Sequence, residues 1–153
     1  MKKFNVPVIS YEFDAKHSGA HYKVENGYCN SGEFIERCVK TYFNEPATKD
    51  SIPYWAGSDI ECTKASLKSF GASLATGMKA TESKSEIIAE YLENVHSERF
   101  YFGALVNETV IVYDMNKAEF TEMLENLWKL NDKRLRLKTC DTKVIKWCEE
   151  RTA

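Results

Sequence analysis

Two carboxylates and a lysine stand close together near the middle of the chain. The run Gly57-Ser58-Asp59-Ile60-Glu61 is followed, after a short polar link, by Ala65-Ser66-Leu67-Lys68-Ser69. Both runs read as short strands, punctuated by Gly57 and Gly71, and the pair reads as a hairpin. Residues two apart on a strand share a face, so Asp59 stands with Glu61 and Ser66 with Lys68. In a matching register Asp59, Glu61 and Lys68 converge. Magnesium is commonly held by one or two carboxylates while it keeps several waters. A metal held in this way polarises a phosphoryl oxygen and acidifies the attacking water. A lysine beside it stabilises developing charge or orients the water. The same residues also describe a solvated hairpin face with one cross-strand ion pair, worth about 0–1 kcal/mol. On the hairpin alone, that plainer reading is the stronger.

The helix before the hairpin changes the balance. Asn30 and Glu33 fit a capping box, with Ser31 as a second candidate cap. Phe34, Ile35, Cys38, Val39, Tyr42 and Phe43 recur at helical spacing and form one apolar face, centred near Ile35 and Tyr42. Asn44-Glu45-Pro46 ends the helix, because a residue before proline avoids the helical region. Glu33 points away from the apolar face and is expected to be solvated. Glu36 lies at the border of that face, beside Val39 and Phe43. There it can reach a site on the sheet, although a border glutamate is also common on any amphipathic helix.

The remaining elements must support that arrangement. Val6 to Phe13 reads as a strand, and residues 14–31 as a polar, glycine-containing loop. Strands are expected over 52–60 and 65–70, with a short third strand from Leu74. A second helix runs from about Glu82 to His96, capped by Ser83 with Glu86 and striped by Ile87, Ile88, Tyr91, Leu92 and Val95. Arg99 to Val106 and Thr109 to Tyr113 form a hairpin through a two-residue turn at Asn107-Glu108. A third helix starts at Asn116, with Glu119 completing a capping box and Met115 and Phe120 at staple positions, and continues to about Leu130. Asp141 or Thr142 caps a last helix with Val144, Ile145 and Cys148 on its apolar side. The order predicts an α/β or α+β domain with a central mixed sheet flanked by helices and the first hairpin at its centre.

A length of 153 residues predicts one domain, 1–153, able to bury a core without staples. The net charge of −2 makes no global case for nucleic acid. A local case exists: Lys129, Lys133, Arg134, Arg136, Lys138, Lys143 and Lys146 fall within eighteen residues, against Asp132 and Asp141, with Trp128 and Trp147 nearby. That excess suits phosphate contacts, and equally a solvated basic face; the tryptophans are expected to pack. No apolar run reaches the roughly 20 residues of a membrane span, and no signal peptide is expected because Tyr11, Glu12, Phe13 and Asp14 interrupt the start of the chain. The five cysteines have no framework spacing, so reduced thiols and a cytoplasmic location are expected. His17, His21, Cys29 and Cys38 lack a Cys-x-x-Cys, and Cys38 falls on an apolar helix face, which favours a core role over zinc. No cysteine has the glycine-rich setting of a nucleophile, and Gly71 to Gly77 lacks the lysine and spacing of a phosphate loop.

Gly32-x-x-x-Glu36-Arg37 on the first helix, then Ser58-Asp59-Ile60, then Leu67-Lys68-Ser69, resembles the restriction-endonuclease-like PD-(D/E)xK nuclease superfamily. The helix is similar to the start of archaeal Holliday-junction resolvases, and the hairpin to small endonucleases of bacterial mobile elements and phages. The likeness covers roughly Gly32 to Gly71. It implies that fold, and metal-dependent hydrolysis of DNA phosphodiester bonds with Mg²⁺ or Mn²⁺. Under it Asp59 is the first metal ligand, Lys68 the catalytic lysine and Glu36 the helix acid, with Lys133, Arg134, Arg136 and Lys138 available to DNA. Homodimers are common in such families. One position departs from the pattern: Ser66 stands where the family has Asp or Glu, and serine is a poor Mg²⁺ ligand. Either Glu61 or Glu36 supplies the missing charge, or the domain is a catalytically inactive module that binds nucleic acid or protein. A protein-interaction domain unrelated to nucleic acid is the third alternative.

Overall fold

The computed structural model describes residues 1–25, 27–45, 59–69, 86, 89, 97–130 and 141–152. The chain opens with β1 (Lys2–Pro7) and a small antiparallel sheet of β2 (Glu12–Phe13), β3 (Tyr22–Val24) and β4 (Gly27–Cys29). Helix α1 (Ser31–Tyr42) follows, then β5 (Ala65–Ser69), β6 (Arg99–Val106), β7 (Thr109–Asn116) and helices α2 (Lys117–Leu130) and α3 (Asp141–Glu150). The main sheet has the order β1-β7-β6-β5. β5 runs parallel to β6, while β6–β7 and β1–β7 are antiparallel. The architecture is α+β with a mixed sheet and flanking helices. Among the described residues no helix is long and apolar enough to cross a membrane.

β6 is buried from Phe100 to Ala104 without a break, as a strand covered on both faces must be. On one face α1 contributes Phe34, Ile35, Cys38 and Val39 to a core with Val6, Ile60, Ala65, Tyr101, Val110 and Val112. On the other, Phe120 of α2 stacks on Phe100 with ring centroids 4.2 Å apart. The helix–sheet approach is closest at Gly103, where a β-carbon would lie 2.7 Å from Ile35 Cγ2. The far end of the chain is tied down by Glu149 on α3, which accepts hydrogen bonds from Tyr113 Oη at 2.7 Å and Lys3 Nζ at 2.8 Å. Burial and that bonded carboxylate push the Tyr113 hydroxyl far above its usual range.

Local chemistry explains the boundaries. Asn107 and Glu108 both have positive φ, 48° and 60°, the hairpin turn whose twist matches its strands. At α2 the Glu119 amide donates to Asn116 Oδ1 at 2.8 Å and the Asn116 amide donates to Glu119 Oε1 at 3.0 Å, a reciprocal capping box. At α1 the Glu33 amide donates to Asn30 Oδ1 at 2.8 Å. The apolar face of α1 differs in one respect: Tyr42 is 47% exposed, turned aside onto the ring of Phe4.

Three expectations require correction. The strand placed over residues 6–13 begins at Lys2 and ends at Pro7, and the loop placed over 14–31 contains β3 and β4. Only Val6 of β1 is fully buried, and strands of three residues are too short to display a period, so neither left a legible alternation. Finally, β5 is the terminal strand of the described sheet rather than a central one. The expected strand from Leu74, most of the strand over 52–60 and the helix from Glu82 to His96 lie outside the described residues, apart from Glu86 and Ala89, which are helical.

Candidate functional site

The site is assembled by the end of α1 and the side of β5 away from β6. α1 stops in a Schellman motif. Asn44 takes the left-handed conformation at φ 57°, its amide donates to the Thr41 carbonyl at 3.1 Å, and the Glu45 amide donates to the Lys40 carbonyl at 2.8 Å. Asparagine tolerates this conformation better than other residues that carry a side chain. The reversal aims the Glu45 side chain at a turn sixteen residues on. Its carboxylate accepts the amides of Glu61 at 2.7 Å and Cys62 at 3.4 Å.

That turn, residues 61–64, is closed by paired backbone bonds between Ile60 and Ala65 at 3.0 and 3.1 Å, with Lys64 at φ 53°. The expected hairpin is therefore present as a tight reversal, but its first arm is described only from Asp59. Glu61 belongs to the turn, is exposed, and has no strand neighbour to share a face with Asp59. The period-two argument that joined the two carboxylates does not apply to it.

Asp59 sits beside β5, on the side away from β6. Ala65 turns its amide and carbonyl to Ile60, and Leu67, two residues on, turns the same way. Among the described residues no strand residue meets Leu67 on that side; its amide donates to Asp59 Oδ2 at 2.7 Å. Among the described residues Asp59 Oδ1 carries no hydrogen bond. Burial pushes the Asp59 carboxyl above its usual range, the Leu67 amide opposes that, the Glu36 carboxylate adds to it, and Lys68 and Lys40 oppose it. These four charges form one electrostatic unit. Within it, Lys40 Nζ lies 3.3 Å from Glu36 Oε1, one helical turn away on α1.

Glu36 and Lys68 reach Asp59 from different sides. Leu67 packs with the α1 core, its Cδ1 3.7 Å from the β-carbon position of Gly103. Lys68 follows it on the strand, in register with Phe102, and so projects from the opposite face. Ser66, on the Lys68 face, is only 5% exposed and donates to Ser97 Oγ at 2.8 Å. Its hydroxyl is directed into the packed sheet face and bonded there, away from α1.

The other candidates fall elsewhere. Lys133, Arg134, Arg136 and Lys138 lie outside the described residues, while Lys143 and Lys146 are exposed on α3. Trp147 is 9% exposed with the Arg151 guanidinium 4.1 Å above its ring, so it is a packing residue. Cys29 and Cys38 are both buried, and burial pushes both thiols up. His17 stacks on Tyr28 at 3.8 Å, and His21 Nδ1 meets the Asp14 carbonyl at 2.9 Å.

Two members of the site were not singled out from sequence. Lys40 had a legible signal, since a lysine four residues after Glu36 is its helical neighbour. Glu45 had none: its role depends on a left-handed Asn44 and on a turn distant in sequence.

Among the described residues no group of three His, Cys, Asp or Glu side chains is gathered to hold a metal. Two carboxylates influence one another electrostatically: Asp59, with one oxygen bonded to the Leu67 amide, and Glu36, paired with the Lys40 ammonium. That donor set is two hard anionic oxygens on adjoining elements. It fits a magnesium- or manganese-type cation that keeps most of its waters, and does not fit a cation that needs a full protein cage. No family model, no curated protein and no solved structure matches this chain.

Proposed function

We propose that the domain is a metal-dependent endonuclease acting on DNA phosphodiester bonds, with Asp59, Glu36 and Lys68 as its working residues. One observation carries the reading: a half-buried Asp59 carboxyl, fixed beside β5 by the Leu67 amide at 2.7 Å, with the charges of Glu36 and Lys68 acting on it. Asp59 and Glu36 would hold Mg²⁺ or Mn²⁺. Such a cation, when bound, supplies charge to a phosphoryl oxygen and acidity to a water. The chain does the rest. The Leu67 amide fixes the orientation of the Asp59 carboxylate, leaving one oxygen for a ligand. The Glu45 brace holds the 61–64 turn against the end of α1, so that Asp59 and Glu36 keep their spacing. Lys68, from the opposite face of β5, holds the attacking water or the developing phosphoryl charge. Glu36 takes the place of the acid absent at Ser66.

The test is incubation with supercoiled, linear and branched DNA in Mn²⁺. Nicking or cleavage lost in both Asp59→Ala and Lys68→Ala is expected. Cleavage that persists unchanged in both variants refutes the assignment. Ser66 favours a second reading, a non-catalytic DNA-binding descendant, because a serine bonded into the packed face leaves the site one acid short. Salt-dependent DNA binding without Mn²⁺ binding, lowered by neutralising Arg134 and Arg136, would distinguish it.

A further inference from the structure

We propose that Lys40 is the internal counter-ion of this site: it competes with a divalent cation for the Glu36 carboxylate and, once displaced, turns to a phosphate of the substrate. The inference rests on the metal-site reading above and adds a residue that the sequence pattern did not contain.

Lys40 pairs with Glu36 one helical turn earlier on α1. Its side chain is 21% exposed, less than the 39% of the glutamate it pairs with, and its ammonium lies 3.3 Å from Glu36 Oε1. A lysine at such a border ordinarily extends its head group to water. Lys40 lies in the last turn of α1, where the exposed carbonyl ends favour a cation. From there it acts on Glu36 by direct contact and on Asp59 through space. Its charge thus partly balances the negative charge of both carboxylates.

An ion pair of this kind is weak and screened. A divalent cation, with twice the charge on a compact centre, outcompetes an ammonium for the same oxygen. The freed ammonium stays tethered a few ångströms away on a stem with four rotatable carbons. Its best remaining partner there is an anionic phosphate oxygen.

This predicts opposite signs for two measurements on the full chain. Titration calorimetry should show Lys40→Met binding Mn²⁺ about threefold to tenfold more tightly than wild type, because the competitor is gone. Lys40→Arg, which keeps the charge, should remain close to wild type. DNA binding followed by anisotropy in Ca²⁺ should weaken in Lys40→Met, with a salt slope shallower by about one. Thermal melting checks the fold, and Lys40→Gln repeats the test if the methionine disturbs the helix. Mn²⁺ binding that is unchanged or weaker in the charge-neutral variants, with wild-type binding intact, overturns the counter-ion role alone. Tighter Mn²⁺ binding with an unchanged salt slope overturns the phosphate role. A wild-type chain that binds no Mn²⁺ overturns the site itself, and this inference with it.

Discussion

Replacing Gly103 with alanine tests the contact that sets the depth of α1 on the sheet, and with it the position of Glu36. The added β-carbon would lie 2.7 Å from Ile35 Cγ2, against 3.4 Å for the start of ordinary contact. The shortfall of about 0.7 Å must be absorbed in a close-packed interior. Ile35 cannot rotate away cheaply, because a β-branched residue in a helix has one strongly preferred χ1 rotamer. Overpacking of this kind costs about 1–3 kcal/mol. Against it stands about 0.5–1 kcal/mol gained by replacing glycine inside a strand. The overpacking term is larger, so Gly103→Ala should lose about 1–2 kcal/mol. In a chain of this size that lowers Tm by about 2–8 °C. Urea unfolding gives the value directly, and a double-mutant cycle identifies its source. Ile35→Ala alone should cost about 2–5 kcal/mol by leaving a cavity. In the Gly103→Ala background it should cost less, by at least about 1 kcal/mol, because the clash disappears with the methyl. An alanine variant as stable as wild type, or strictly additive costs, refutes the close approach of α1 at this strand.

Two further outcomes follow from the site. Asp59→Asn should abolish Mn²⁺ binding yet leave the fold more stable than wild type at neutral pH. The folded-state carboxyl is raised, chiefly by burial, so ionised Asp59 destabilises the fold; the penalty is absent below the ordinary aspartate range, grows as pH rises, and is complete above the folded value. Melting curves of the two proteins should therefore converge as pH falls through the acid range, and an asparagine variant less stable at neutral pH would contradict the assignment. Glu45→Ala removes a charged acceptor from the Glu61 and Cys62 amides. Partial exposure limits its cost to about 1–2 kcal/mol by denaturant unfolding, and amide exchange should speed up at residues 60–65 while α2 stays protected; unchanged exchange there would show that the turn does not depend on Glu45.

What could be read from the residues depended on whether the controlling interactions were local. The N-cap at Asn30, the capping box at Asn116 and the turn at Asn107-Glu108 are settled within four residues and appear where their patterns place them, although Glu33 meets the Asn30 side-chain amide rather than its backbone amide. The apolar face of α1 was equally legible because helical periodicity needs only its own stretch, although Tyr42 left that face for Phe4, a partner no period encodes. Position in the sheet was not legible. Alternation around Ile60 and Ala65 marks an extended chain without saying which neighbour it pairs with, and among the described residues β5 is terminal rather than central. At the site, the position of Glu36 at the border of a helical face is legible from periodicity alone, and it is half-buried there beside Lys40. Glu61 lies in a turn braced by Glu45 from across the fold, and a strand period does not extend into it.

Asp59 brings these strands of argument together. The Asp59 carboxylate accepts the Leu67 amide, a backbone donor on the side of β5 away from β6. That task alone does not call for a charge: asparagine or serine offers an acceptor to a backbone amide without the cost of burying an ionised group. Here the acceptor is a carboxyl that burial already disfavours as an anion, and a second carboxylate, Glu36, makes it worse. Lys68 and Lys40 compensate only in part, because the net direction is still upward. A fold selected for stability alone would have relieved that conflict with a single substitution. Arrangements that are locally unfavourable and individually replaceable mark functional positions more often than structural ones. The same conflict is what a divalent cation would resolve, and for that reason metal binding and stability should respond to Asp59→Asn with opposite signs.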